Sequence, residues 1–278
     1  MKSKHKSTAV VLLNYNTWRE TLEEIRLLIE KANVECKDII VVDNGSQNES
    51  YEELSARKEM GFTLLQSASN SGYAAGNNMG LKYAFTNGYK YALVINNDVL
   101  LGDDFNLAKL VDVFEKSADI ATVNPDIYSP QGHLFNRDAK RFSFFDMSFG
   151  LWFYPRKGRK IQMHDGYAYI YRPQGCCMVL DLEKLAEVDF LDEHTFLYSE
   201  EIILAERLLG KGYKCACVPE VKVIHNHSKT VKSALDKKKI KKIQEQSFIY
   251  YLTEYRKYGK VKRAVCLFFF RIKQKLTA

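Results

Sequence analysis

The segment YALVINNDVLL, residues 91–101, opens apolar and closes polar. Its run Ala92-Leu93-Val94-Ile95 breaks at once into Asn96-Asn97-Asp98. An apolar run of that length bounded by a turn signal predicts a buried strand, central in a parallel sheet. In open α/β sheets ligands bind beyond the carboxyl ends of the strands. A carboxylate there, beside two amide side chains, is an oxygen-rich donor set suited to Mg²⁺ or Mn²⁺. The plain alternative is a turn, since Asn and Asp hydrogen-bond their own backbone.

Working outward, the same pattern repeats. Thr8 to Leu13 is a β-rich run ending in Asn14-Tyr15-Asn16. Thr17 and Glu20 form a capping-box pattern ahead of a helix from Trp18. Asp38 to Val42 reads as a second buried strand, followed by Asp43-Asn44-Gly45-Ser46. A helix is expected over Ser50 to Met60 and a strand over Phe62 to Gln66. The small-residue segment Asn70 to Gly80 leads into a helix ending near Asn87. After the opening strand come a helix over Asp104 to Ser117 and a strand over Ile120 to Asn124. This alternation predicts parallel βαβ units with helices on both faces.

The second half is less regular. Tyr128 to Lys160 reads as a long excursion over the active face. Strands are expected over Tyr167 to Tyr171, Gly175 to Leu180, Tyr213 to Val218 and Val221 to His225. Helices are expected from Asp181, over Ser199 to Lys211 and over Ser233 to Tyr258. Trp152, Phe153 and Tyr154 can stack on a sugar or close a core.

Composition sets the bounds. A chain of 278 residues at 46% hydrophobic buries a substantial core. The net charge of +7 is uneven. From Lys229 to Ala278 there are 15 basic against 3 acidic residues, a local +12, which leaves 26 basic against 31 acidic residues elsewhere. The basic character belongs to the tail and calls for a local anionic partner. Six cysteines form no CxxC pair and no zinc spacing, which reads as reduced, buried thiols of a cytoplasmic protein. The N-terminal apolar run is too short for a signal core or membrane span. A GxxxxGK[ST] P-loop is absent, and no GxGxxG follows the first strand.

Asp43, Asp98 and the Asn70–Gly80 helix start would lie along one sheet edge. An acid can take hydrogen bonds from a ribose or base, a helix N-terminus favours anions, and a metal neutralises a diphosphate. Together they make a sugar-nucleotide site.

Six ordered segments carry a family resemblance: VVLLNYN (Val10–Asn16), IIVVDNGSQNES (Ile39–Ser50), NSGYAAGNNMGL (Asn70–Leu81), INNDVLL (Ile95–Leu101), FLYSEEIILAERLLGKGY (Phe196–Tyr213) and VIHNHSKT (Val223–Thr230). The chain resembles the family-2 inverting glycosyltransferases, whose GT-A fold is a Rossmann-like nucleotide-binding α/β sheet with flanking helices. It most resembles the bacterial rhamnosyltransferase-like members that build capsule or O-antigen repeats. The resemblance implies a catalytic domain over residues 1–230 and a basic helical extension over 231–278.

By that resemblance Asn14, Tyr15, Asp43, Asn70, Gly72, Asn77 and Asn97 shape the nucleotide-sugar pocket. Asp98 and His225 hold Mg²⁺ or Mn²⁺, although Asn96 stands where the family carries a first acid. Glu201 aligns with the catalytic base and is preferred over its neighbour Glu200. The two diverge by about 100° on a helix, so they do not point the same way. Ile203 replaces an acid common in the family, and Arg207 keeps a basic position that can pair with either glutamate. His227 is read as a loop residue, and Lys229 can touch phosphate. Gly175-Cys176-Cys177-Met178 is read as a packing strand beneath the acceptor. The partners implied are a nucleoside-diphosphate sugar and a lipid-linked saccharide acceptor, with no nucleic acid.

The tail keeps two readings open. It can lie on an anionic membrane at the cytoplasmic face, or pack against the catalytic domain or a second subunit as a homodimer. A nucleotidyltransferase-type enzyme and a nucleic-acid binder are the competing functional classes. The acidic body and the lack of an RNP or helix-turn-helix pattern weigh against the second.

Overall fold

The computed structural model describes residues 8–152, 161–226 and 237–276. Phe153, Tyr154, His227 and Lys229 lie outside them. The first half builds as the hydrophobic pattern dictates. β1 (Thr8–Asn14), α1 (Trp18–Ala32), β2 (Ile39–Asp43), α2 (Ser50–Ser55), β3 (Thr63–Gln66), α3 (Tyr73–Thr86) and β4 (Tyr91–Ile95) follow in order. The four strands are parallel, in the spatial order β3-β2-β1-β4. β2 and β4 are buried throughout, as strands covered on both faces must be.

The small residues of α3 let it lie close on the sheet. A Cβ on Gly76 would stand 2.6 Å from Leu13 Cδ1, and one on Gly80 would stand 2.5 Å from Val11 Cγ1.

Beyond β4 the sheet becomes mixed. β5 (Val99–Leu101), α4 (Leu107–Lys116), β6 (Ile120–Tyr128), β7 (Met163–His164), β8 (Tyr167–Ile170), β9 (Cys177–Asp181), α5 (Leu182–Glu187), α6 (Glu200–Gly210) and β10 (Lys214–His225) complete a ten-stranded mixed sheet. β9 inserts antiparallel between β4 and β6. An apolar run carries no direction, so the sequence pattern could not tell this strand from a parallel one.

Three further expectations change. Val99–Leu101 pairs antiparallel with β10, where a loop was expected. The two strands expected over Tyr213–His225 are one, broken in register between Val218 and Lys222. The Thr17 side chain caps no helix N–H. Its hydroxyl donates to Asn14 Oδ1 instead.

The tail packs on the body. α7 (Lys237–Tyr250) passes through a π-helical turn, Tyr251–Tyr255, towards α8 (Lys260–Leu276). Tyr251, Leu252 and Cys266 form a buried cluster with Met147 and Ile203. Polar bonds add to it. Ser247 Oγ donates to the Leu197 carbonyl at 2.8 Å, and Tyr250 and Tyr255 both donate to Asp192. Glu206 accepts from Tyr171, Tyr251 and the Arg141 guanidinium. The inner face of the tail therefore follows the packing reading.

One buried ionisable group stands out. Glu24 on α1 is 2% exposed, and its Oε1 is buried without a hydrogen-bond partner. Burial, then the nearby Asp98 charge, pushes its carboxyl up to about 9. The folded state therefore holds a proton that the unfolded chain releases above about pH 4.5, and this site destabilises the fold as pH rises towards 9.

Two stability predictions follow from this packing. Glu24→Gln should stabilise the protein at pH 7 by roughly 3 kcal/mol. In chemical denaturation the gain should vanish near pH 4, and a pH-independent difference would contradict the burial argument. Gly72 has φ +89°, and a Cβ there would stand 2.2 Å from the Phe196 carbonyl oxygen. Gly72→Ala should therefore cost about 2 kcal/mol or more, and an unchanged Tm would show that the Phe196 loop yields freely.

Candidate active site

The carboxyl ends of the first strands do converge, but largely on one another. Asn14 Nδ2 donates to Asp43 Oδ2 at 2.7 Å, and Ser46 donates to both Asp43 oxygens. Asp43 is 0% exposed. Asn97 Nδ2 donates to Thr17 Oγ1 and Thr21 Oγ1, both at 2.8 Å. Asn44 donates to Asn70 Oδ1 and the Gly72 carbonyl, and accepts from Ser71. Thus Asn14, Asp43, Asn70 and Asn97, all read from the sequence as ligand contacts, hold the loops of the site to each other. Short polar side chains at strand ends give the same sequence signal for either role.

Asn77 is 1% exposed and donates to the Tyr73 carbonyl. Gly72 lies against Phe196, whose carbonyl takes the Tyr73 N–H at 2.9 Å. The N-terminus of α3 therefore faces the loop before α6. Tyr15 is half-buried just beyond β1.

β5 and β10 bring Asp98 to His225. Val99 pairs with His225, and the Asn226 N–H donates to the Asp98 carbonyl. His225 Nε2 lies 3.0 Å from Asp98 Oδ1. A carboxylate and an imidazole this close are a donor set that fits a divalent ion whose other ligands come from a diphosphate. Among the described residues no third His, Cys, Asp or Glu completes a protein-only cluster.

The second centre is the start of α6. Tyr198 and Ser199, immediately before it, have φ of +70° and +69°. Two consecutive left-handed residues of this kind are strained backbone, of the sort that clusters at functional sites. Glu201 Oε1 accepts from Gln174 Nε2 at 3.1 Å and from the Gly175 N–H at 3.3 Å. Its Oε2 makes neither bond. Glu200 is 7% exposed with Oε1 buried and unpartnered. Burial first, then the Glu201 charge, raises its carboxyl to about 8. Adjacent acids thus have opposite environments. Arg207 pairs with neither. It donates to the carbonyls of Val188 and Asp189 and ties α6 to the loop after α5.

Both glutamates line a cavity of 740 Å³, with His225, Asn96, Tyr73 and Gln174. That volume suits a small-molecule site. The cavity is also lined by Arg172, and by Phe248, Tyr251, Phe270 and Lys273 of the tail. Sequence reading missed these. Gln174 and Arg172 precede a strand with no pattern around them, and only the fold brings the tail to the site. Gly175 and Cys176 line the cavity, and the Cys176 and Cys177 thiols are free and buried.

Comparison with known proteins supplies the rest. The chain matches the model of glycosyl transferase family 2 over residues 9–188, a segment that ends before Glu200 and Glu201. The low-salt glycan biosynthesis hexosyltransferase Agl10 of Haloferax volcanii is 24% identical over 220 residues, 78% of this chain and 66% of that protein. GalNAc-T7, solved with UDP, GalNAc and Mn²⁺, superposes with a TM-score of 0.65 at 14% identity, over 91% of this chain and 50% of its own. The mannosyltransferase PcManGT of Pyrobaculum calidifontis, solved with GDP-Man and Mn²⁺, gives 0.60 at 16% identity, over 91% and 65%. TarS of S. aureus gives 0.55 at 12% identity, over 90% and 44%. This chain spans about half to two thirds of the length of these relatives. The solved structures fix the fold as GT-A. With the family model covering the sheet from β1 through β9, the chain belongs to glycosyl transferase family 2.

Proposed function

We propose that the protein is an inverting glycosyltransferase. It moves a sugar from a nucleoside-diphosphate donor to a saccharide acceptor, with Glu201 as the base. The observation that carries this reading is the Glu201 carboxylate. One oxygen is held by Gln174 and Gly175, and the residue lines the cavity together with His225. The acceptor hydroxyl oxygen attacks the anomeric carbon opposite the leaving group. The bond from that carbon to the diphosphate oxygen breaks, and Glu201 Oε2 takes the hydroxyl proton. Glu200, held neutral by its burial, adds no second negative charge beside the base.

Asp98 and His225 would hold Mg²⁺ or Mn²⁺ against the donor diphosphate. The ion would neutralise charge developing on the leaving group. Mn²⁺ in the structures of GalNAc-T7 and PcManGT supports a divalent ion, as their UDP and GDP-Man support a nucleotide-sugar donor. Asn14, Asp43, Asn70, Gly72, Asn77 and Asn97 would act mainly by fixing the pocket loops, with Tyr15 at its edge. The acceptor proposed is a lipid-linked saccharide at the cytoplasmic face of a membrane, in cell-surface polysaccharide synthesis. The catalytic domain would comprise residues 1–230 and the extension 231–278. Rhamnose on thymidine diphosphate is the first donor to test.

The test is a panel of nucleotide sugars with and without Mn²⁺, recording nucleoside diphosphate release. One donor should turn over. Glu201→Gln should lower its rate by about 10²–10⁴-fold, and Asp98→Ala should remove the response to Mn²⁺. Pyrophosphate release would assign a nucleotidyltransferase instead. Full activity in Glu201→Gln would move the base elsewhere.

A further inference from the structure

α8 has two apolar faces, and the fold uses only one. On the inner face Cys266 is buried, Phe270 stacks on Phe248 at 4.7 Å, and Gln274 bonds Gln244. On the outer face Val261, Val265, Phe268, Ile272 and Leu276 recur at the spacing that makes one helical stripe. Val261 is 78% exposed, Phe268 60% and Leu276 70%. The body extends this stripe. Phe268 meets Phe269 at 5.3 Å, Phe269 meets Phe149 at 4.6 Å, and Phe149 stacks on Phe145 at 6.3 Å, with both Phe145 and Phe149 exposed.

The rim of this surface is cationic. Lys260, Lys262 and Lys275 flank the stripe, Arg271 beside it is paired with Glu245, and α8 contains no acidic residue. No helix among the described residues is long and apolar enough to cross a membrane. An apolar stripe with aromatics, bordered by lysine and arginine, suits the plane of an interface.

We infer that the outer stripe of α8, with Phe145 and Phe149, docks on an anionic lipid surface. Charge selects this occupant. A second copy of the same face would set two basic rims against each other, whereas anionic headgroups neutralise them. The placement also has a consequence for the site. The inner side of the same helix lines the cavity through Phe270, Lys273 and Gln274. A docked α8 would hold the cavity mouth at the bilayer, where a lipid-linked acceptor lies. Only this last step rests on the glycosyltransferase reading.

The test is vesicle flotation of the full chain without donor, using neutral phosphatidylcholine and phosphatidylcholine mixed with phosphatidylglycerol. Wild type should float with the anionic vesicles and much less with neutral ones. Val261→Ser with Phe268→Ser, and separately Lys260→Glu with Lys275→Glu, should each lower the partition coefficient about tenfold or more. None of these four side chains lines the cavity, so nucleoside diphosphate release in solution should be unchanged. Circular dichroism confirms folding, and the charge-reversal pair carries the test should the serine pair misfold. Wild type that does not float, or variants that float equally well, would overturn the inference. Sedimentation that shows a wild-type dimer split by the serine pair, with flotation unchanged, would assign the face to self-association. Flotation without turnover of any donor would leave the surface standing and remove the proposed chemistry.

Discussion

Gly175 is the point on which the site depends. Its N–H donates to Glu201 Oε1, and its carbonyl accepts the Tyr73 hydroxyl at 2.7 Å. A Cβ there would stand 2.6 Å from that hydroxyl. One backbone unit thus joins the first residue of α3 to the first turn of α6, and only glycine leaves the room. The fold delivers Gly175 by inserting β9 antiparallel beside β4, which sets the Cys176 carbonyl against the Asn96 N–H at 2.9 Å. Asn124, on neighbouring β6, fixes the approach by bonding the Gln174 backbone at both N–H and carbonyl. The carboxylate, its amide clamp and the end of β4 are therefore positioned together.

The two glutamates show what that positioning does. They are adjacent in sequence, yet one is clamped by two donors and the other is buried beside it with an unpartnered oxygen. Environment, not residue type, separates them, and burial is what raises the Glu200 carboxyl. The strained Tyr198-Ser199 turn leads directly into the helix that carries both carboxyls. The tail then closes the same cavity with Phe248, Tyr251 and Phe270. Tyr251 and Arg141 both bond Glu206, also on α6, so the helix that carries Glu201 also anchors the tail.

The parts of this arrangement that the sequence makes legible are those with a strong local signal. The apolar runs of β1, β2 and β4 and the amphipathic α1 are of this kind, whereas the paired glutamates on α6 stand out only through the resemblance. The direction of β9 was not legible, since apolar runs in parallel and antiparallel central strands look alike. Nor was the inward turn of Asn14, Asp43 and Asn97, whose residue types suit a ligand and a loop bond equally. Asp98 and His225 are far apart in the chain, and the register of the short β5 against β10 brings them to 3.0 Å. Gln174 carried no signal of its own, because its role exists only once Gly175 and Glu201 meet. The second apolar face of α8 was hidden for a related reason. A helix apolar on both sides reads from sequence as a simple hydrophobic run.

Direct displacement from a single carboxylate base is the central claim, and the stereochemistry of the product tests it most directly. The anomeric proton of the transferred sugar, followed by NMR from the first turnovers, reports the configuration before any mutarotation. The account predicts a product inverted at the anomeric carbon relative to the donor. A retained configuration would contradict it, because a single direct displacement must invert the anomeric carbon, whereas retention would make Glu201 or another group a nucleophile.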